Sequence, residues 1–134
     1  MLAMPSTRAL SPHVDALLAR SRAHAAERDW PRAWSALELA HVLSQPSARL
    51  HTKVHVRMLV LGARVRDLRE IAGQIVRVAG AGLGSALGRF PAGNSGRARV
   101  SITAPMPVPA EAQRIFASLG IDIEGVTIAG RARR

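Results

Sequence analysis

Leu37-Glu38-Leu39-Ala40-His41-Val42-Leu43-Ser44-Gln45-Pro46-Ser47-Ala48-Arg49-Leu50-His51-Thr52-Lys53-Val54-His55 carries three of the five histidines of this 134-residue chain. The run up to Ser44 reads as a helix, Gln45-Pro46 interrupts it, and a second helix begins near Pro46 or Ser47. Glu38 and His41 form a Glu-x-x-His pair on the first helix, and His51 and His55 a His-x-x-x-His pair on the second. At about 3.6 residues per turn, each spacing puts its two side chains on one helical face. A reversal near Gln45-Pro46 sets positions whose numbers sum to about 92 opposite one another, so His41 meets His51, and Leu37 or Glu38 meets His55. The stretch therefore predicts a helical hairpin with imidazoles at the rim of its contact.

Outward from the hairpin the pattern stays helical. Ser11-Pro12 reads as N-cap plus first-turn proline, with Leu10, Val14, Leu17 and Leu18 as an apolar stripe and an end near Arg28. Asp29-Trp30-Pro31 breaks that helix and caps the next, about Pro31 to Ser44. This pair resembles one helix–turn–helix unit of a tetratricopeptide repeat, with no second copy at about 34 residues. A third helix starts at Pro46 or Ser47 and ends between Gly62 and Val65. Asp67-Leu68-Arg69-Glu70 opens a fourth in the manner of a capping box, with Ile71, Ile75, Val78 and Ala79 facing the core. Gly80, Gly84 and Gly88 then recur every four residues, which either clears one helix face or frays the helix end.

From Arg89 to Pro109 the chain is rich in turn residues, and Gly93-Asn94-Ser95-Gly96 calls for positive φ. A short last helix runs from Pro109 or Ala110 to Leu119, stopped by Gly120. The expected fold is thus an all-α domain of four to five helices in antiparallel hairpins over residues 8–119. A Gly/Pro-rich irregular stretch packs on it, and residues 120–134 form a mobile basic tail.

Composition narrows the chemistry. With no cysteine, disulfides, thiolate metal sites and a cysteine nucleophile are excluded. Net charge is +10, nearly all from arginine, since Lys53 is the single lysine. A negatively charged partner fits that charge, as do solvated arginine faces; only two Trp and two Phe are present, which argues against a base-stacking surface for nucleic acid. The N-terminus lacks a basic stretch leading into an apolar one, so no signal peptide is expected. The window Ile71 to Gly88 holds Gln74 and Arg77 and is too polar for a membrane span. A cytoplasmic protein, not integral to a membrane, is expected.

Two readings of the histidines follow. Neutral imidazole suits zinc, copper, nickel or iron(II), and Glu38, His41, His51 and His55 would be ligands of a divalent transition metal, with Gln45 orienting an imidazole. Alternatively, Glu38, Gln45 and the histidines form a buried polar network that structures the hairpin, and the protein acts through helix faces on a partner protein or a second copy. Glu70 is a further candidate ligand, but its place three residues after Asp67 assigns it to the cap. His13 and His24 read as surface residues. The carboxylates are too few for a di-iron bundle, and no His-Glu-x-x-His or Gly-x-Ser-x-Gly occurs, so the residues read against an enzyme. Gly88 to Ser95 matches a phosphate-binding loop frame except that Asn94 replaces its lysine, and no strand precedes it.

Several motifs in order resemble a small bacterial family catalogued as domain of unknown function 3703: Ala40-His41-Val42-Leu43-Ser44-Gln45, His51-x-x-x-His55-x-x-Met58, Glu70-x-x-Gly73-Gln74-x-x-Arg77, Gly88-x-x-Pro91-x-Gly93-Asn94-x-Gly96 and Met106-Pro107-x-Pro109. The resemblance covers about residues 8–118. It brings no established activity, and by association it implies a neighbourhood of heavy-metal resistance genes. The family pattern continues Gly-Asn-Thr-Gly-Gly-Ala-Asn-Val where this chain has Gly93-Asn94-Ser95-Gly96-Arg97-Ala98-Arg99-Val100, so this loop carries extra positive charge.

Overall fold

A computed structural model describes residues 7–87 and 90–123. Among them, a 3-10 turn at Thr7–Leu10 leads into five helices: α1 (Ser11–Ala26), α2 (Trp30–Ser44), α3 (Ala48–Arg64), α4 (Leu68–Ala86) and α5 (Ala110–Ser118). No strand occurs among the described residues, so the chain is all-α. Gly88, Arg89 and 124–134, most of the expected tail, lie outside the described residues. The described beginning of that tail folds back, with Ile121 and Ile123 packed against the core.

Short polar turns set the hairpins. Asp29 accepts from Arg32 N, the cap expected of α2, and Ser47 caps α3 by accepting from Leu50 N. Asp67 likewise accepts from Glu70 N at the start of α4. Arg28 and Arg66 take positive φ in the turns between α1 and α2 and between α3 and α4. Ser11 is not the cap of α1: the 3-10 turn runs straight into the helix through Leu10, whose backbone is already helical, so Ser11 lies inside it. The principal contacts are α1 with α2, α3 with α4, and α2 with α3. Leu10, Leu18, Leu37, Leu43, Val54 and Met58 fill the core between them.

α4 reverses the expected polarity. Its buried side is Glu70, Gln74, Arg77 and Ala81, while Ile75 is 56% exposed and Leu83 68% exposed. The long segment Phe90–Pro109 covers the polar side, so α4 turns its hydrogen-bonding stripe toward that segment and its apolar stripe outward. α4 continues through Gly80 and Gly84 to Ala86, and a methyl group at Gly80 would meet nothing within 4 Å. No helix is long and apolar enough to cross a membrane among the described residues.

Candidate metal centre

The hairpin places His41 on α2 and His51 and His55 on α3, with all three rings buried. The expected opposition of His41 and His51 holds, and His55 joins the same point one turn further along α3. The Nε2 atoms form a nearly equilateral triangle: 2.9 Å from His41 to His51, 3.1 Å from His41 to His55 and 3.1 Å from His51 to His55. These are the one group of three or more His, Asp and Glu side chains suited to a shared ion among the described residues.

The opposite ring edges are each tied down. His41 Nδ1 donates to the Asn94 carbonyl at 2.7 Å. His55 Nδ1 donates to Gln74 Oε1 at 2.7 Å. The orientation of that amide is fixed, because its Nε2 donates to Glu70 Oε1 at 2.7 Å and to Gly96 O at 2.9 Å. His51 hydrogen-bonds to the Ala81 backbone.

This pattern assigns the tautomers. A neutral imidazole carries one N–H, and for His41 and His55 the Nδ1 partners are carbonyl oxygens that can only accept. Both Nε2 atoms are therefore bare lone pairs, 3.1 Å apart and facing each other. Among the described residues, every buried side-chain nitrogen and oxygen has a polar neighbour within hydrogen-bonding distance, yet this contact has no proton to share. Two acceptors at that distance repel unless a cation lies between them or the N–H of His51, 2.9 and 3.1 Å away, serves both.

Protonation does not supply that cation. Burial, then the neighbouring histidines, hold His41 well below its ordinary value of 6.5. Burial and the proximity of His55 push His51 down to about 3. Burial takes His55 to about 4, against the raising effect of its bond to Gln74. At neutral pH the triangle is three neutral nitrogen donors, the form in which imidazole binds metal.

The same shifts predict an acid-labile metal-free fold. As pH falls below about 6.5 the unfolded imidazoles take up protons, while folded His55 and His51 stay neutral down to about 4 and 3. The unfolded state then binds more protons, so stability present above pH 6.5 is lost progressively through that window. A melting-temperature series on chelator-treated protein should fall steadily from pH 7 toward about pH 4; a flat series would contradict the neutral buried triad.

The size also suits an ion. Nitrogens about 3 Å apart lie about 1.75 Å from their common centre, close enough that His41, His51 and His55 would together hold one ion at the usual zinc–nitrogen distance of about 2.0–2.1 Å. The three rings line a cavity of about 330 Å³ between α4 and the 90–104 segment.

Glu38 is not brought into this group. Its Oε1 pairs with Arg97 Nη1 at 3.1 Å, and its side chain is 36% exposed. Arg97 also pairs with Glu70 Oε2 through Nε at 3.1 Å and lies 3.8 Å over the Trp34 ring. Opposite charge and the indole face thus hold Glu38 and Arg97 together at the rim. Gln45 lines the cavity but donates to the Pro91 carbonyl; orientation of an imidazole falls instead to Gln74. Glu70 is no capping side chain either. Its carboxylate is fully buried and accepts from Gln74, Ala98 N and Arg97, making a carboxylate–amide–imidazole chain to His55. His13 and His24 are half-buried on α1.

The sequence singled out Gln74 and Asn94 only as members of motifs. The available signal was the stripe Glu70-x-x-x-Gln74-x-x-Arg77, three polar residues on one face of an otherwise apolar helix. Asn94 anchors its loop by donating from Nδ2 to Ser101 O and Ala104 O and accepting at Oδ1 from Gly96 N. Gly93 and Gly96 take the positive φ expected of the turn. A Cβ at Gly96 would also stand 2.6 Å from the His41 ring.

Comparison with known proteins adds membership without an activity. The model of the family described as Protein of unknown function (DUF3703) matches residues 8–116, and the chain belongs to that family. No curated protein and no solved structure matches it.

Proposed function

We infer that this family member is a cytoplasmic metal-binding accessory protein that holds one divalent transition-metal ion on the Nε2 atoms of His41, His51 and His55. It would serve heavy-metal resistance or homeostasis by buffering, sensing or handing over the ion, without catalysing a reaction. The observation that carries this reading is the His41–His55 contact, where two bare nitrogen lone pairs face each other at 3.1 Å. A purely structural network would need the single N–H of His51 to serve both nitrogens, and the bond of His51 to the Ala81 backbone opposes that. Zinc or a neighbouring borderline metal suits three imidazoles. Glu38 remains outside the ligand set while Arg97 neutralises it, and Gln74 takes the orienting role expected of Gln45.

Calorimetric titration of zinc into chelator-stripped protein at pH 7 tests this. One tight site per chain is expected. Weak binding matching exposed histidines alone would return the cluster to a structural role.

A second reading, contact with a protein partner or second copy, is favoured by the outward apolar stripe Leu68, Ile75, Val76 and Leu83 on α4. On that reading, sedimentation velocity should show concentration-dependent self-association that Ile75→Glu combined with Leu83→Glu abolishes. Monomers at all concentrations in the parent protein would rule out the second copy.

A further inference from the structure

We propose that the metal centre takes an exogenous small anion with an apolar body, of the carboxylate class, in the cavity beside the three histidines. This rests on the metal reading and specifies what completes the ion's coordination.

Charge is the first argument. Three neutral imidazoles leave a divalent ion uncompensated in a buried site, and burying net charge without a counterion is costly. Among the described residues, no Asp or Glu lines the cavity. The nearest carboxylates are engaged elsewhere, Glu70 by Gln74, Ala98 and Arg97, and Glu38 by Arg97. Arg77, which does line the cavity, adds positive charge. Its guanidinium is held by the carbonyls of Gly73, Arg97 and Val100 rather than by a carboxylate. The field at the open coordination positions thus favours an anion.

Shape and lining supply the second argument. A volume of about 330 Å³ far exceeds a water or hydroxide and falls in the range of small-ligand sites. Away from the histidines the wall is largely apolar, with Val76, Ala81, Phe90 and Ile102 among its residues. Val76 and Ile102 are more than half exposed, so the cavity opens to solvent beside them and a ligand can enter. The anionic group would bind the metal in the field of Arg77, and the apolar body would rest on this wall.

The test uses the full chain loaded with cobalt(II), whose visible bands report a change in ligands. Acetate, butyrate, benzoate and neutral butyramide are titrated at constant ionic strength. The proposal expects the carboxylates to shift the bands and butyramide to leave them unchanged. Butyrate or benzoate should bind at least about tenfold more tightly than acetate, since each buried methylene contributes about 0.8 kcal/mol. Gly80→Leu, which adds bulk at the cavity wall where a side chain meets no neighbour, should weaken butyrate about tenfold and spare acetate. Unchanged bands with every carboxylate, on protein that retains cobalt, would overturn the proposal and leave the metal site standing. Equal affinities for acetate and butyrate would remove the apolar-body claim. Failure to bind cobalt at all would overturn the metal reading itself.

Discussion

Zinc binding should vanish when His41 and His51 are both replaced by alanine. A structural zinc site with four ligands is worth about 10–16 kcal/mol in small domains, or roughly 3 kcal/mol per ligand. Removing two of three imidazoles should therefore weaken zinc by at least about four orders of magnitude. The remaining His55 would bind no better than an exposed histidine. Calorimetry measures the loss, and thermal melting provides the internal check. Zinc should raise the melting temperature of the parent protein, because it binds the folded triad far more strongly than the unfolded chain. In a variant shown by circular dichroism to remain helical, the same zinc should produce no rise. Retention of one tight site in that double variant would remove the histidines from the account.

The second large effect is expected at a residue that offers no ligand atom. Gly96 has φ +79°, and a Cβ there would lie 2.6, 2.7 and 2.9 Å from three atoms of the His41 ring. Gly96→Ala therefore carries two penalties. Holding a non-glycine residue in this region costs about 1–2 kcal/mol. The contact also forces the ring away from the point where the three Nε2 atoms meet, and the Asn94 carbonyl behind the ring resists that movement. A combined destabilisation of about 3 kcal/mol is expected, with a 10–100-fold loss of zinc affinity. Gly120→Ala is the matched control. It also has positive φ, +66°, but a Cβ there meets nothing within 4 Å. It should cost about 1 kcal/mol and leave zinc affinity unchanged. Equal zinc affinities for the two variants would show that the glycine turn does not position His41.

Much of this arrangement is legible from local rules. Asp29 and Asp67 each announce a helix start through a short side chain that caps backbone N–H groups, and each does so in the structure. The spacings bring His41 opposite His51, because a tight turn at Gln45-Pro46 leaves little freedom of register, whereas His55, expected opposite Leu37 or Glu38, meets His41 instead. The positive φ at Gly93 and Gly96 follows from the turn composition.

What escaped depends on residues distant in sequence. Glu38 has the right spacing to His41, but Arg97, fifty-nine residues later, claims its carboxylate. Hydrophobic periodicity assigned Ile75 to the core, and the structure exposes it. The irregular segment that covers α4 offers backbone carbonyls and amides, which favour Gln74, Arg77 and Glu70 as the inward face. Helical patterning carries no information about such a cover. The same cause hid Gln74 and Asn94, whose roles appear only once that segment lies against α4 and the hairpin.

The most direct measurement is X-ray absorption at the zinc edge on protein carrying one zinc per chain. Three imidazole nitrogens at about 2.0–2.1 Å, completed by a light donor from outside the histidine set, is the predicted spectrum. A spectrum fitted by fewer than three imidazoles would contradict the triad as the binding site.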